Sequence, residues 1–515
     1  MKIFAAIDVG SYEVGMKIFQ LSKKYGVKEL DYIRHRVDLG SDSYRTGRIS
    51  YDHMEELCSI LNGFNDIMSS YGVDDYRACG TSAIREAEST DIVLDQIRLR
   101  TGLDVRALSN SEQRFLDYKS VALQDVEKFE SIIKDGTLFI DIGGGSTQVS
   151  LFEEGSLITT LNLPLGILRI RSQLSELEPR RSQYSELLSE IIDNELYSFK
   201  KLYLRDRDIR NMVVVDDYLP YVKNRLADKD IERSGMVTTK QYLDFCAMIK
   251  QQSVEEVAKA VGIQQENANL LRPSAALIRN FINITGAERL WITGATLSDG
   301  IAYDYAERTH IIKSAHDFDS DIIASAENIA ARYRITDARE EALLQVSMVV
   351  FDSMKKFHGL SKRDRLLLEL AARLRDVGRF VSLSVPAESS YSIIMGTEII
   401  GLSHMERAMV ASAAFNSFSR DVYYRDFENE EFDKNTALRV IKITAILRLG
   451  AALAQNPKKK FKKVTASIRD NELDLTIESR TGIVIESGAF SQYSGFFEEV
   501  YGLRPVIRHR EVSQI

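Results

Sequence analysis

The chain has 515 residues, 44% hydrophobic and 28% charged, a make-up that excludes a disordered or fibrous protein and leaves room for several cores. A formal net charge of -8 and a pI near 5.6 exclude a nonspecific nucleic-acid coat, which needs a basic face. Three cysteines, Cys58, Cys79 and Cys246, are too few and too scattered for a disulfide framework or a thiolate metal site.

In chain order, the first apolar run, Ile3 to Ile7, ends at Asp8 and is too short for a signal-peptide core. No later segment is long enough to span a bilayer, so a cytoplasmic protein is expected, with no membrane partner and no specific nucleic acid. Two stretches look like copies of one design. Ile7-Asp8-Val9-Gly10-Ser11 runs into Met16-Lys17-Ile18-Phe19, and Ile140-Asp141-Ile142-Gly143-Gly144-Gly145-Ser146-Thr147 runs into Val149-Ser150-Leu151-Phe152. Each reads as strand, Asp-Xaa-Gly turn, strand, and the repeat predicts two duplicated α/β lobes with the turns facing across a cleft.

Between the copies, helical pattern covers Met54 to Met68 and a short strand covers Tyr76 to Gly80. Beyond the second copy come a helical stretch from Ser182 to Lys201 and strands at Met212 to Val215 and Leu290 to Thr293, the last followed by a turn from Gly294 to Gly300. From about Asp321 the period becomes helical, with Leu343, Val346, Val350, Met354 and Phe357 forming one apolar stripe. Past Pro457, Val464, Ala466 and Ile468, then Leu473, Leu475 and Ile477, alternate as two half-buried strands around an Asp470-Asn471 turn. The expected division is lobe I over 1–122, lobe II over 123–305, a helical domain over 306–462 and a small α+β subdomain over 463–515.

An aspartate closing a buried strand, followed at once by glycines, sets a carboxylate beside exposed backbone N–H groups. That pairing suits a magnesium phosphate, because the N–H groups form an anion-binding concavity while the carboxylate holds Mg²⁺ directly or through water. Ser146 and Thr147 can add hydroxyl donors. A polyanion would otherwise have to be met by a local basic run. The densest are Lys458, Lys459, Lys460, Lys462 and Lys463, and Lys200, Lys201, Arg205, Arg207 and Arg210, although such runs are ordinarily solvated surface. The seven histidines show no ligand spacing.

Five segments carry a family resemblance: Ala6-Ile7-Asp8-Val9-Gly10-Ser11, Cys79-Gly80-Thr81-Ser82-Ala83-Ile84-Arg85-Glu86-Ala87, Leu108-Ser109-Asn110-Ser111-Glu112-Gln113, the turn from Asp141 to Thr147, and Leu163-Pro164-Leu165-Gly166. In this order they resemble exopolyphosphatases and guanosine-pentaphosphate phosphatases, and the resemblance continues through Leu402-Ser403-His404-Met405-Glu406. It implies two actin-like lobes, an all-α HD-like domain and a small strand-containing tail. The implied activity is Mg²⁺-dependent hydrolysis of the terminal phosphoryl group of inorganic polyphosphate or guanosine pentaphosphate. By that carry-over Asp8, Asp141 and Gln148 belong to the metal site, and Arg85 steadies a phosphoryl oxygen, which a planar guanidinium can grip at two points. Gly10, Ser11, Thr81, Ser82, Gly143, Gly144, Gly145, Ser146 and Thr147 cradle the phosphates. A homodimer, common in such proteins, could extend a channel for a long polyanion.

Several positions depart from the family pattern. Its Glu-Glu pair reads Glu112-Gln113, so an amide that can orient water but not deprotonate it stands at the base position. Gln148 replaces a glutamate, Tyr12-Glu13 replaces Asn-Ser, and Asp216-Asp217-Tyr218 replaces a Gly-Gly-Thr turn. The HD-type metal pair reads Arg375-Asp376, and an arginine is no metal ligand.

Two readings stay open. One is a hydrolase, with weakened activity, using Glu112, Gln113, Asp141 and Arg85 as its catalytic groups. The other is a silenced binding or sensory protein for polyphosphate or nucleotide. An actin-like ATPase or kinase is disfavoured, because the second lobe lacks the Gly-Gly turn an adenosine site would use.

Overall fold

The computed structural model describes residues 1–511 other than 178–182, 206, 227–230, 232–233, 315, 336–337, 420–422, 428–431 and 457–460. It divides into a unit from Met1 to Asp317 and a unit from Phe318 onward.

The first unit holds two sheets of one design. In lobe I the strands are β1 (Lys2–Val9), β2 (Glu13–Ser22), β3 (Gly26–Arg36), β4 (Asp75–Gly80) and β5 (Val105–Ala107), in the order β3-β2-β1-β4-β5. In lobe II they are β6 (Thr137–Ile142), β7 (Thr147–Glu153), β8 (Ser156–Leu163), β9 (Asn211–Val215), β10 (Met236–Thr238) and β11 (Arg289–Ile292), in the order β8-β7-β6-β9-β11-β10. In each lobe the first three strands pair antiparallel as a meander and the first strand pairs parallel with the fourth, which in turn pairs parallel with β5 in lobe I and with β11 in lobe II. Only β10, an antiparallel edge strand, breaks the match. This is the pair of duplicated α/β lobes that the repeat implied, in the arrangement that the resemblance led one to expect.

The first strand of each sheet is covered on both faces, so it reads as an unbroken apolar run rather than an alternation. Along β1, Ala5, Ile7 and Val9 pack with Leu57, Leu61 and Phe64 of the Tyr51–Tyr71 helix. Phe4 and Ala6 face the other way, onto Leu116 of the Asn110–Gln124 helix and onto Leu297, Ile301 and Tyr305 of the Leu297–Arg308 helix. Side chains alternate along a strand, so Asp8 shares the face of Phe4 and Ala6 and is aimed toward these two helices.

The Asn110–Gln124 helix begins with a capping box, Ser109 and Glu112 satisfying each other's backbone N–H. It touches both sheets. Leu116 belongs to the lobe I core, whereas Tyr118 packs against Phe129, Phe139 and Phe152 of lobe II. It is held to the Leu297–Arg308 helix by Lys119, which pairs with Asp304 at 3.0 Å and with Glu307. The two helices cross so closely at Gly300 that a Cβ there would lie 2.0 Å from the Leu116 carbonyl oxygen.

The second unit is mainly helical and ends in the sheet β12 (Phe461–Arg469), β13 (Glu472–Ser479) and β14 (Arg504–Glu511). Asp470 and Asn471, both at positive φ, make the expected tight turn between β12 and β13. The third strand, β14, was not expected. It follows the Val484–Tyr501 helix and pairs parallel with β13.

Other expectations change in detail. The turn foreseen from Gly294 to Gly300 becomes helix at Leu297, with Thr296 and Asp299 forming a capping box. The stripe of Leu343, Val346, Val350 and Met354 is buried, but Phe357 lies beyond the Ala338–Ser353 helix and is 54% exposed. Among the described residues the division into compact units falls between Asp317 and Phe318. The Leu297–Arg308 helix packs into the lobe I core, and β12 to β14 belong to the same compact unit as the helices from Phe318 onward.

Arg375 and Asp376 form a buried ion pair of 2.7 Å, with the guanidinium 3.8 Å above the Phe418 ring and its Nε donating to Ser417 Oγ. Arg448, also buried, donates to the Ser419 carbonyl and lies over the rings of Tyr493 and Phe496. Arginines and aromatic rings thus fill this interior, and among the described residues no group of three His, Cys, Asp or Glu is placed to hold a metal.

Candidate active site

Both aspartate hairpins line one cleft in the first unit. They are built alike: Gly10 N–H donates to the Glu13 carbonyl at 3.0 Å, and Gly143 N–H donates to the Ser146 carbonyl at 2.9 Å. Those two N–H groups close the turns and are not available to a phosphate. Ser11, Thr81, Ser82, Gly143, Gly144 and Ser146 line the cleft, as does Gly10.

Gly145 and Thr147 do not line it. A Cβ on Gly145 would fall 2.3 Å from Tyr44 Oη, so that glycine exists to admit Tyr44. Thr147 is fully buried and its hydroxyl donates to the Leu165 carbonyl, which ties the turn to the Leu163-Pro164-Leu165-Gly166 segment. Gly166 lets the Ile167–Glu176 helix start against the turn, since a Cβ there would meet the Gly145 carbonyl carbon at 2.1 Å.

The acidic groups are more numerous than the sequence suggested. Asp8, Glu13, Asp117, Asp141, Asp216 and Asp217 line the cleft, and Arg34 is the single Lys or Arg among the described lining residues. Asp117 is the residue that the sequence reading missed. It stands one turn after Gln113 on the Asn110–Gln124 helix, and residues four apart share a helix face. Extending the face of Gln113 by one turn was the signal that would have found it.

The Asp117 and Asp141 carboxyls act on one another, and their contact favours a proton on Asp117 over one on Asp141. Burial pushes Asp117 well above the usual carboxylate range, and the Asp141 charge adds to the rise. Burial also raises Asp8, helped by the charges of Asp217, Glu13 and Asp141. Glu13 is pushed up to about 7 by burial and by Asp217, against the pull of Arg34. Asp216 also rises to about 7 through burial and Asp217, although it accepts from the backbone N–H groups of Tyr218 and Leu219 and from the Ser274 hydroxyl.

Two buried carboxylate oxygens, Asp8 Oδ1 and Asp117 Oδ2, receive no donor from the protein. Gln148 lies directly opposite Asp141 in the β6–β7 ladder and is buried, and its Oε1 is likewise unmatched. Acceptors of this kind fit a hydrated Mg²⁺, which keeps several waters and needs few direct carboxylates. They do not form a closed cage, since no three such side chains among the described residues converge on a point.

Two expected catalytic groups lie outside the cleft lining. Glu112 is taken up by its capping box and by an ion pair of 2.9 Å with Arg106. Arg85 points behind Gln113: its Nη1 donates to the Leu108 carbonyl at 2.7 Å and to Gln113 Oε1 at 3.3 Å. Gln113 itself does line the cleft. No described residue of the two basic runs is part of the cleft lining. Arg207 pairs with Glu153 and Arg210 with Asp208, Lys200, Lys201 and Arg205 are exposed, and Lys462 and Lys463 are exposed on β12. Lys458, Lys459 and Lys460 lie outside the described residues.

Two lobes of matching strand order but for the edge strand β10, each presenting an Asp-Xaa-Gly hairpin to a shared cleft, define the actin-like class of proteins. Within that class, the Ppx/GppA phosphatase family model matches residues 21–309, and the model of its domain III matches residues 323–487. The chain belongs to the Ppx/GppA phosphatase family. Exopolyphosphatase 1 of Mycobacterium tuberculosis is 26% identical over 190 residues, covering 37% of this chain and 54% of its own, so the chain spans about half the length of that relative. The guanosine-5'-triphosphate,3'-diphosphate pyrophosphatase of Photobacterium profundum is 20% identical over 496 residues, 92% of this chain and 91% of its own. The structure of an exopolyphosphatase from Cytophaga hutchinsonii shares the fold, with a TM-score of 0.52 at 16% identity over 60% of this chain and 98% of that one. Among the described residues no helix is long and apolar enough to cross a membrane.

Proposed function

We propose that the chain hydrolyses the terminal phosphoryl group of inorganic polyphosphate or guanosine pentaphosphate, with Mg²⁺ as cofactor and a rate weakened by the amide at position 113. The observation that carries this reading is the pair of duplicated hairpins on one cleft, where unmatched carboxylate oxygens stand beside the hydroxyls of Ser11, Ser82 and Ser146.

Bound Mg²⁺ would supply charge neutralisation, without which six carboxylates would repel a polyanion. Ser11, Ser82 and Ser146 donate to phosphoryl oxygens. Gln113, fixed by Arg85, orients a water through its amide. Asp117, one turn further along the same helix face, would offer the carboxylate that position 113 lacks once the charge of a bound Mg²⁺ loosens the proton that burial holds there. Phosphoryl transfer asks for positioning and electrostatic stabilisation more than covalent chemistry, so this set suffices for slow turnover.

A binding or sensory role without turnover is the second reading, favoured by Gln113 and by the acidic Asp216-Asp217 turn. Phosphate release from long-chain polyphosphate and from guanosine pentaphosphate, with Mg²⁺ and with Asp141→Asn as the blank, separates the two. Release by the wild type above the blank is expected. Equal release by both, with polyphosphate still bound, would leave the binding role.

A further inference from the structure

Ser11, Ser82 and Tyr44 form a closed triangle of hydroxyls. Ser11 Oγ lies 2.6 Å from Tyr44 Oη and 2.9 Å from Ser82 Oγ, and Tyr44 Oη lies 2.8 Å from Ser82 Oγ. Three hydroxyls carry three protons, and each can donate to one neighbour while accepting from the other. Every O–H in the closed ring is therefore engaged, and an arriving anion must take over at least one of its edges.

Tyr44 comes from the Leu39–Thr46 helix, whose sequence carries none of the motifs singled out above. Its place is nonetheless built on several sides. Gly145 of the second hairpin has no room for a Cβ against Tyr44 Oη, and a Cβ on Gly40 would meet the Tyr44 ring at 2.8 Å. Arg169 lies 4.9 Å from the ring centroid and donates from Nε to the Gly145 carbonyl at 2.8 Å. The ring is thus clamped between the two lobes, with its hydroxyl directly beneath two serines that face the cleft.

We propose that Tyr44 is a positioning residue of the phosphate site, its O–H donating to one of the Ser11 and Ser82 hydroxyls so that the serines can turn their own protons to an incoming phosphoryl oxygen. The inference rests on the phosphate-binding reading of the cleft, but it holds for a hydrolase and for a silent binder alike. In the free protein the triangle satisfies all three hydroxyls within itself. In the bound protein its opening releases donors already in place, so little ordering is required.

Tyr44→Phe keeps the ring against Gly145 and Arg169 and removes only the hydroxyl. Titration calorimetry with tripolyphosphate and Mg²⁺ should show the dissociation constant raised about 3- to 10-fold, the effect of one or two net hydrogen bonds. Ser11→Ala and Ser82→Ala should each weaken binding in the wild type and weaken it less in the Tyr44→Phe background, because members of one network do not contribute additively. An unchanged dissociation constant in Tyr44→Phe, or penalties that simply add, would overturn the role of Tyr44 while leaving the phosphate site standing. A wild type that takes up no tripolyphosphate would instead remove the functional reading, and this inference with it.

Discussion

Asp117 changes what the amide at position 113 means. A glutamine can hold a water but cannot accept its proton, yet a carboxylate stands one turn along the same helix face, lining the same cleft. A misplaced general base commonly costs a factor of about 10² to 10⁴ in rate rather than all of it. Asp117→Asn is therefore expected to lower phosphate release by about that factor, and Gln113→Glu in the same background should restore part of it. Steady-state release of phosphate from polyphosphate measures both. No recovery in the double variant would show that position 113 no longer reaches the attacking water. Asp117 was legible only to a reader who extended the helix face from Gln113, and the direction of Arg85 was not legible for a related reason. A motif names the residue types but not the direction in which a long side chain turns, and the Leu108 carbonyl claims this guanidinium.

The Asn110–Gln124 helix is the element on which the site depends, since it carries Gln113 and Asp117 and touches both sheets. Its start was readable in Ser109 and Glu112, a capping pair that acts over three residues. Its partner was not readable, because nothing local in Gly294 to Gly300 marks the contact with Leu116. Gly300→Ala drives a Cβ to within 2.0 Å of the Leu116 carbonyl oxygen, a backbone atom that cannot rotate aside. The two helices must then separate, and overpacking of this kind typically costs about 1–3 kcal/mol. A lower melting temperature together with a loss of release greater than the stability change predicts is expected. Loss of stability alone, with the rate intact, would mean that the crossing does not position the site.

Across the whole molecule, the cleft concentrates negative charge, and among its described lining residues only Arg34 opposes it. Asp8, Glu13, Asp117, Asp141 and Asp216 all bind protons more tightly in the folded unit than in an unfolded chain. Where the native state binds more protons, stability falls as pH rises. With Glu13 and Asp216 raised to about 7, the loss runs from the ordinary carboxylate range up through neutrality. In chelator the first unit should melt higher at about pH 5.5 than at about pH 8, and Mg²⁺ should raise the melting point more at the higher pH, where the carboxylates are free to meet it. Asp217→Asn should narrow the difference, because Asp217 is a charge common to the rises of Asp8, Glu13, Asp141 and Asp216. Thermal melts at the two pH values check all of this, and a flat pH response would mean that the cluster is solvated.

The sequence by itself determined the duplication, the two aspartate hairpins, the caps and the helical character of the second unit. Those features follow from chemistry acting within a few residues: an apolar run broken by Asp-Xaa-Gly, a serine three positions before a glutamate, an apolar stripe at helical spacing. The tertiary structure alone decided which side chains meet. One helix is gripped by two sheets whose strands lie far apart in the chain, and that grip brings Asp117 to Asp141 and Gln113 to Arg85, while the Leu39–Thr46 helix brings Tyr44 to Ser11 and Ser82. No short window of sequence records those meetings, because packing across elements, not local propensity, sets the direction of each side chain.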